Sequence, residues 1–483
     1  MRIIGDLDGS TQPDVTRWVG LDRFRTGLYS CMRRRADAMF ELTDAMLCAP
    51  GRVTDLARLS LEPVHRRGHG ALYDGLNAGQ IEVEELGRLV AQTPVPTMPG
   101  PDGRDRIVLA VDVSNWLRPD AATSPDRSFC HTYPRGHGQA QMIPGWKYSW
   151  IAALEPGATS WTALLDAHRL HPDHDETAVT ADRLRVVIER LRAAGHWNEG
   201  DPSILIVMDS GYDVTRLRWL LADLPVTMLA RVRSNRVFYA SAGKRKGPTK
   251  GRGPRHGHKL TLADPESWPT PSVTTTNQTP NYGAATAIAF DRQHQRLECR
   301  GPWAGHQGEP PIIEGTLIQL RVDHLPGDRT PAPVWLWCST TGATGATGAT
   351  AAAEVDHYWS AYLRRFDLEH TFRMLKQTLG WTRPMLRDPQ AADRWTWLIL
   401  AAHTQLRLAR PFAADYRLPW QRRLPTRLLT PARVRAGFHR VRRTTTRPAR
   451  APKATRPGPG RPPGHPNRHK APIQAVGKSS RAG

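Results

Sequence analysis

Short apolar runs alternate with segments of helical spacing between residues 106 and 233. The apolar runs are rich in Val, Ile and Leu and are too short for helices, so they predict buried strands. The predicted strands are 107–113, 148–155, 160–170, 203–209 and 226–233, and the predicted helices are 176–194 and 214–224. The resulting order, β-β-β-α-β-α-β, predicts a layered α/β domain.

The segments around this core have other patterns. Residues 1–105 have the spacing of short amphipathic helices, and the PVPTMPGPDG stretch that closes them contains residues that stop helices. Residues 234–339 combine Gly, Pro, Lys and Arg loops with isolated strand-like runs, which predicts a β-rich insertion. A long helical pattern over 351–379 is expected to end at Gly380 in the C′ position, and a last helix is expected over 391–408.

These patterns divide the chain into five predicted regions. They are a helical N-terminal domain that could bind DNA at 1–105, the first part of the core at 106–233, a β-rich insertion and low-complexity linker at 234–350, the second part of the core with a Glu-bearing helix at 351–410, and a basic, largely disordered tail at 411–483. The linker contains the repeat TGATGATGAT, which we interpret as a flexible spacer.

The charge of the chain points to its partner. Its 483 residues include 67 Lys and Arg against 45 Asp and Glu, a formal charge of +22. Residues 421–483 contain 17 Lys and Arg and no acidic residue, so most of the excess lies in the tail. Because much of the tail lacks apolar periodicity, we expect it to stay disordered until it binds DNA. Such a charge favours nucleic acid over a small neutral metabolite.

Neither export nor a metal-thiolate site is indicated. The five cysteines are scattered and none forms a C-x-x-C pair, so a disulfide framework and a zinc ribbon both fit poorly. The start of the chain lacks a basic segment followed by an apolar one, and no apolar run approaches about 18 residues. We therefore expect a cytoplasmic, nucleoid-associated protein with no membrane partner.

Two acidic residues follow apolar strands. Asp112 comes after VLAV and Asp209 after ILIVM. An aspartate in this position, taken alone, is more often a turn former or a helix cap than a ligand. If the two strands are neighbours, however, the carboxylates can share divalent cations. Asp213 rivals Asp209 but lies beyond Gly211, where the chain has left the strand, so we prefer Asp209; Glu369 is the candidate third carboxylate.

The predicted helix over 351–379 presents four polar residues on one face. At about 100° per residue, with Tyr362 at zero, Arg365, Glu369 and Lys376 fall near 300°, 340° and 320°. This forms one polar stripe beside an apolar face. Arg365 and Glu369 could also form a simple surface ion pair, but that interpretation leaves Tyr362 and Lys376 unexplained.

The stretch YLRRFDLEHTFRMLK carries these four residues in the spacing Tyr-x2-Arg-x3-Glu-x6-Lys. Together with the VDVS and MDSGYD motifs of the two aspartates, it resembles the signature of bacterial insertion-sequence transposases of the DDE, RNase H-like superfamily. The resemblance covers about residues 107–380. It implies an RNase H-like mixed sheet flanked by helices, with the helical domain before it and the β-rich insertion inside it.

Chemically, the resemblance implies phosphoryl transfer: DNA strand cleavage and strand transfer at the ends of an insertion sequence. Two Mg²⁺ ions, for which Mn²⁺ could substitute, would be held by Asp112, Asp209 and Glu369. The Tyr, Arg and Lys of the signature would contact phosphates of the element ends. Double-stranded DNA of the ends and the target would be the partner, and joining two ends implies a homodimer in the DNA complex.

Two other basic segments are candidate DNA contacts. Lys244, Arg245 and Lys246 begin a basic run that is either a solvated loop or a contact to the DNA backbone, and contact is favoured in a chain with this chemistry. Arg461, within PGPGRPPG, resembles the core of an AT-hook that enters the minor groove, although a Pro- and Arg-rich linker would have the same letters.

Two alternative functions stay open at this point. One is a transposase-derived DNA-binding protein that has lost catalysis, against which the intact set of three carboxylates argues. The other is an RNase H-like repair nuclease, which would need no inverted-repeat ends. Metal-dependent cleavage separates the first alternative from a transposase, and terminal inverted repeats beside the gene separate the second.

Overall fold

The computed structural model describes residues 18–132, 141–157, 159–243, 253–280, 282–324, 331–341, 348–453 and 473–474. The chain forms two compact units. The first comprises Met1–Pro96, Val113–Asn198 and Asp367–Gly483, and the second comprises Thr97–Asp112 and Glu199–Phe366.

The described residues form eleven α-helices and seventeen β-strands, numbered here in chain order. The α-helices are α1 Val19–Ser30, α2 Ala36–Cys48, α3 Leu56–Leu59, α4 Gly70–Ala78, α5 Val83–Ala91, α6 Glu176–Ala193, α7 Val214–Leu220, α8 Gly348–Arg364, α9 Phe366–Arg373, α10 Pro389–Ala409 and α11 Pro431–Thr444. The strands are β1 Met32–Arg34, β2 Gln80–Ile81, β3 Met98–Pro99, β4 Asp105–Arg106, β5 Val108–Leu117, β6 Arg127–Thr132, β7 Gln141–Leu154, β8 Thr162–Leu170, β9 Ile204–Met208, β10 Val226–Val232, β11 Val237–Ser241, β12 His256–Thr261, β13 Val273–Thr279, β14 Gly283–His294, β15 Gly315–Val322, β16 Val334–Cys338 and β17 Ile473–Gln474. The predicted α/β class is confirmed.

The first unit is built around α10. Asp388 caps this helix by accepting hydrogen bonds from the backbone N–H groups of Gln390 and Ala391, and Pro389 occupies its first turn, where a missing N–H is tolerated. Apolar residues on nearly every side bury most of the helix, which packs against β8 and against α1, α2, α4 and α11. Even so, none of the described helices is long and apolar enough to cross a membrane.

An aromatic cluster lies in the core of the first unit. Strand β7 pairs in antiparallel fashion with β6 and β8. The ring centre of Trp381 lies 5.0 Å from that of Trp150, 5.6 Å from that of Tyr148 and 6.2 Å from that of Trp116. All three ring pairs meet edge to face. These rings are at most 1% exposed, so the cluster is part of the buried core of this unit.

Part of the segment predicted to be a largely disordered tail is helical. Helix α11 buries Val434, Phe438 and Val441, which lie at helical spacing and pack in the first unit against α2 and α10. Arg435 is 5% exposed and donates to the carbonyl oxygens of Met46 and Gly51. An apolar stripe and an internally hydrogen-bonded arginine therefore order a segment that its high charge had assigned to the tail; residues 454–472 and 475–483 lie outside the described residues.

The second unit contains a mixed sheet. Strand β9 pairs in parallel with β5 and β10. Strands β16, β15 and β14 then continue the sheet beyond β10 in antiparallel fashion, β13 and β11 both pair with β14, and β12 pairs with β11. The strands of the predicted insertion therefore extend the core sheet, because β16 satisfies the backbone groups that β10 would otherwise leave exposed at an edge. Helix α8 packs on this sheet.

The helical pattern predicted over 351–379 is interrupted twice. Helix α8 ends at Arg364, and α9 begins at Phe366. A π-helical turn follows over Met374–Thr378, so a uniform 100° per residue does not hold across this region. Gly380 has a φ of 73° and ends the helix as predicted, while the backbone N–H of Trp381 donates to the carbonyl of Leu375.

Candidate active site

The strand register in the second unit places two carboxylates side by side. Strands β5 and β9 pair in parallel from Val108 with Leu205 to Val111 with Met208. Asp112 and Asp209 are the next residues on the two strands, and neighbouring strands lie about 4.8 Å apart. The two strands are therefore neighbours, which was the condition for their carboxylates to share cations. Asp112 is not the last residue of its strand, however, because β5 continues to Leu117.

Apolar burial explains why these strands pair as they do. All the residues of β5 and β9 that pair with one another are fully buried, which is typical of parallel strands covered on both faces. Burial changes at the two aspartates, whose side chains are 20% exposed in Asp112 and 37% exposed in Asp209. The sheet therefore presents two partly exposed acids next to a rigid apolar ladder, a position that limits how far the carboxylates can move apart.

A single guanidinium group bridges the two acids. Arg365 Nη1 lies 2.9 Å from Asp112 Oδ2, and Arg365 Nη2 lies 3.7 Å from Asp209 Oδ2. The arginine side chain is only 4% exposed. Its two nitrogens thus reach one carboxylate each, so one positive charge is shared by two negative ones. The sequence predicted Arg365 as a DNA contact and did not indicate this pairing with the acids.

Aromatic rings and a second arginine surround this bridge. The Arg365 guanidinium carbon lies 5.8 Å from the ring centre of Tyr362 and 5.1 Å from that of Phe366. Burial, and after it the negative charge of Asp209, raises the pKa of the Tyr362 phenol above its usual value. Arg231 Nη1 lies 4.0 Å from Asp209 Oδ1. The two acids therefore face a positive and aromatic environment, in which cation–π contact also supports the buried guanidinium.

The local backbone distinguishes Asp209 from its rival Asp213. Asp209 Oδ1 accepts a hydrogen bond of 2.7 Å from the backbone N–H of Ser210, directly after the strand. The carboxylate of Asp213 accepts one of 3.0 Å from the N–H of Arg216, as the N-cap of α7. Asp213 therefore has the capping role that such residues usually take.

The other residues predicted for the site belong to the first unit or lie outside the described residues. Glu369 is exposed and lies in α9, in the first unit. Lys376 belongs to the π-helical turn, and its ammonium nitrogen lies 5.6 Å from the ring centre of Trp381. The completion of the site by Glu369 stays a prediction. Lys244, Arg245, Lys246 and Arg461 lie outside the described residues.

The chemistry of the aspartate pair fits a divalent cation. Asp112 and Asp209 supply carboxylate oxygens, the ligands that Mg²⁺ and Mn²⁺ prefer, and the guanidinium between them shows that the pair attracts a positive charge. Within the described part of the chain, no three His, Cys, Asp or Glu side chains are arranged to hold a metal ion. The structure therefore brings together two of the three carboxylates predicted from the sequence, and their role as metal ligands stays a prediction.

An arginine-rich cleft beside Asp209 was not predicted from the sequence. It has a volume of about 640 Å³ and lies wholly within the second unit. Among its lining residues are five arginines: Arg231, Arg233, Arg236, Arg296 and Arg300. Three come from residues 231–236 and two from 296–300, so only folding brings them together. The one sequence feature that could have indicated this cleft is the alternation of Arg231 and Arg233 at the end of a buried strand.

The DDE superfamily endonuclease family matches residues 27–296, more than half of the chain. This stretch contains Asp112 and Asp209 and ends before Glu369. A search of curated proteins finds none that matches the chain in sequence. Among solved structures, the chain is similar to a piggyBac transposase in a synaptic complex with hairpin DNA, studied by cryo-EM, with 11% sequence identity over 82% of this chain and 72% of that chain and a TM-score of 0.39. By its family match, the chain belongs to the DDE superfamily endonucleases.

Proposed function

We propose that this endonuclease is a transposase that cleaves DNA at the ends of an insertion sequence and transfers the cut strand to a target. The observation that carries the proposal is the strand register that places Asp112 and Asp209 side by side. Membership of the DDE superfamily endonucleases supports the nuclease activity. The Tyr-x2-Arg-x3-Glu-x6-Lys signature that follows the insertion favours a transposase within that superfamily.

Asp112, Asp209 and Glu369 would hold the divalent ions, with Mg²⁺ as the expected metal and Mn²⁺ as a substitute. When bound between carboxylates, such ions activate water or a 3′-hydroxyl and stabilise the leaving oxygen of an in-line displacement. Arg365 balances the charge of the two aspartates, and the buried ladder of β5 and β9 keeps their spacing constant. A rigid pair suits this chemistry because little reorganisation is then needed at the reacting phosphate.

The proposed partner is double-stranded DNA, both at the element ends and at the target, bound by a homodimer in the nucleoid. Lys376, Lys244, Arg245 and Lys246 would contact phosphates, and Arg461 would enter a minor groove. Tyr362 and Arg365 are almost fully buried, so their predicted phosphate contacts would require both side chains to become accessible.

Cleavage of a labelled duplex tests the proposal. The duplex would carry the terminal inverted repeat read from the flanks of the gene, and cleavage would be followed on a denaturing gel with MgCl₂ or EDTA. We expect metal-dependent nicking at the repeat end by the native chain, and loss of nicking with retained DNA binding in Asp112→Asn, Asp209→Asn and Glu369→Gln. Asp264→Asn is the control, because Asp264 is exposed and only caps a short 3₁₀ turn. Nicking by Glu369→Gln at the native rate would contradict the assignment.

The same assay separates the two alternatives. A transposase-derived DNA-binding protein without catalysis would bind the duplex and leave it intact in MgCl₂. A repair nuclease of the RNase H-like class would cut duplexes with and without the repeat equally well. Strand transfer of the labelled end into a supercoiled plasmid is expected only of a transposase.

A further inference from the structure

The arginine-rich cleft in the second unit carries more positive charge than its own acids balance. Its lining residues include five arginines and two acids, Asp213 and Glu298. Asp213 already caps α7, and Glu298 lies 2.7 Å from Arg300. Arg233, Arg236 and Arg296 are exposed at the surface of the cleft. Clustered cations of this kind repel one another, so a bound polyanion stabilises them.

The cleft adjoins the candidate active site through two residues, Arg231 and Ser210. Arg231 lines the cleft, and its Nη1 lies 4.0 Å from Asp209 Oδ1. Ser210, the residue after Asp209, lines the cleft as well. A phosphate chain that occupies this cleft therefore passes directly beside the carboxylate of Asp209.

The size of the cleft limits what can enter it. Its volume of about 640 Å³ lies in the range of sites for small molecules. One or two nucleotides of a single strand suit that volume, whereas a duplex with its two backbones is too large to lie inside it. Arginines can contact the phosphates of such a strand bidentately.

An exposed aromatic side chain, Trp219, lies beside the cleft and contacts one of its lining residues. Trp303 lines the cleft, and its ring centre lies 6.2 Å from that of Trp219. Trp219 is 45% exposed, which is unusual for so large an apolar side chain, and its ring also contacts His306 at 5.7 Å. Trp303 itself is buried, so Trp219 is the exposed ring, and a positive groove beside an exposed aromatic ring is a combination that binds single-stranded nucleic acid.

We propose that the cleft formed by Arg231, Arg233, Arg236, Arg296 and Arg300 binds a single-stranded segment of the DNA substrate, with a base stacked on Trp219. The proposal rests on the proposed function only for the choice of DNA as the polyanion. It deepens that function, because it identifies where the second unit would bind the DNA strand that leads to Asp209. The arginines hold the strand by its phosphates and therefore without regard to its sequence.

Binding without metal tests this proposal separately from cleavage. A fluorescein-labelled 12-nucleotide strand and the matching blunt duplex would be titrated with the full chain in EDTA, with fluorescence anisotropy as the readout. The cleft variant is Arg233→Gln/Arg296→Gln. The matched control is Arg292→Gln/Arg321→Gln, which removes two exposed arginines of the same unit that do not line the cleft.

We expect the cleft variant to bind the single strand at least tenfold more weakly than the control. Each lost phosphate contact should also make the salt dependence shallower, by about 0.7 in the slope of log K against log salt. Trp219→Ala should weaken single-strand binding about tenfold, and Trp219→Phe should restore most of it. Circular dichroism of each variant should match that of the native chain, since all the changed residues are exposed.

Three outcomes would overturn the proposal: equal single-strand binding by the cleft and control variants, an equal loss of single-strand and duplex binding in the cleft variant, or displacement of the strand by a mononucleotide at similar concentration. The last would indicate a site for a free nucleotide. Failure of the proposed function is distinguishable, because a chain that binds the single strand through the cleft and never cuts in MgCl₂ contradicts only the transposase assignment.

Discussion

Replacing Arg365 by Gln should destabilise the second unit, and Mg²⁺ should reverse much of that loss. The Arg365 side chain is 4% exposed, and its guanidinium nitrogens lie 2.9 Å from Asp112 and 3.7 Å from Asp209. In Arg365→Gln the two carboxylates keep their positions at the end of the β5–β9 ladder but lose the positive charge between them. Their mutual repulsion is then relieved only by a cation from solution.

The size of the effect follows from burial. Removal of one partner from a fully buried ion pair costs about 3–5 kcal/mol. Since Asp209 is 37% exposed, solvent screens part of the interaction, so we expect about 3 kcal/mol. For a folding unit of about 150–250 residues, this corresponds to a fall in Tm of about 6–12 °C.

Differential scanning fluorimetry in EDTA and in MgCl₂ would measure the change. Arg231→Gln is the matched control: it removes the same charge from a side chain that is 48% exposed and 4.0 Å from Asp209, so it should cost less than about 1 kcal/mol. MgCl₂ should raise the Tm of Arg365→Gln more than that of the native chain, because the metal no longer competes with the guanidinium. A native Tm for Arg365→Gln in EDTA, with a native response to MgCl₂, would refute this account of the aspartate pair.

Three further predictions concern the first unit. Burial lowers the pKa of His403 to about 3, so the unfolded chain gains a proton below about pH 6.5 that the folded chain does not bind, and stability falls from that pH towards pH 3. His403→Phe should remove this loss, which urea unfolding at pH 7 and pH 4.5 would show; an unchanged pH dependence would exclude His403 as its source. Gly380→Ala should lower the Tm in a thermal melt, because Gly380 has a φ of 73° and an added Cβ would lie 2.7 Å from Val53; an unchanged Tm would contradict the close contact. Trp381→Ala should cost about 3–5 kcal/mol by the same melt through loss of the aromatic cluster, and a cost below about 1 kcal/mol would show that the cluster repacks.

The sequence predicted the parts of the site that depend on local pattern. The apolar runs before Asp112 and Asp209 have the composition of strands buried on both faces, and they form the parallel ladder of β5 and β9. The end of the helix at Gly380 was also predictable, since glycine adopts the left-handed conformation without a steric penalty. In each case the signal lies within a few residues of the feature it predicts.

Features that depend on distant contacts could not be predicted in this way. The polar stripe was drawn on one continuous helix, but a break after Arg364 and the π-helical turn at Met374–Thr378 change its phase, and neither has a marker in the sequence. Helix α11 was assigned to the tail because residues 421–483 contain 17 Lys and Arg and no acidic residue. Its order depends on packing against α2 and α10, which come from distant parts of the chain.

Asp112 and Glu369 should differ in their effect on the stability of the fold, so their contributions to stability and to cleavage can be measured separately. Asp112 accepts a hydrogen bond from the buried Arg365, so Asp112→Asn should lower the Tm as well as abolish cleavage. Glu369 is exposed on α9, so Glu369→Gln should abolish cleavage and leave the Tm within about 1 °C of the native value. Thermal melts in EDTA, paired with nicking assays in MgCl₂, would show both effects. Equal falls in Tm for the two variants would contradict this division, because Glu369 would then support the fold as much as Asp112 does.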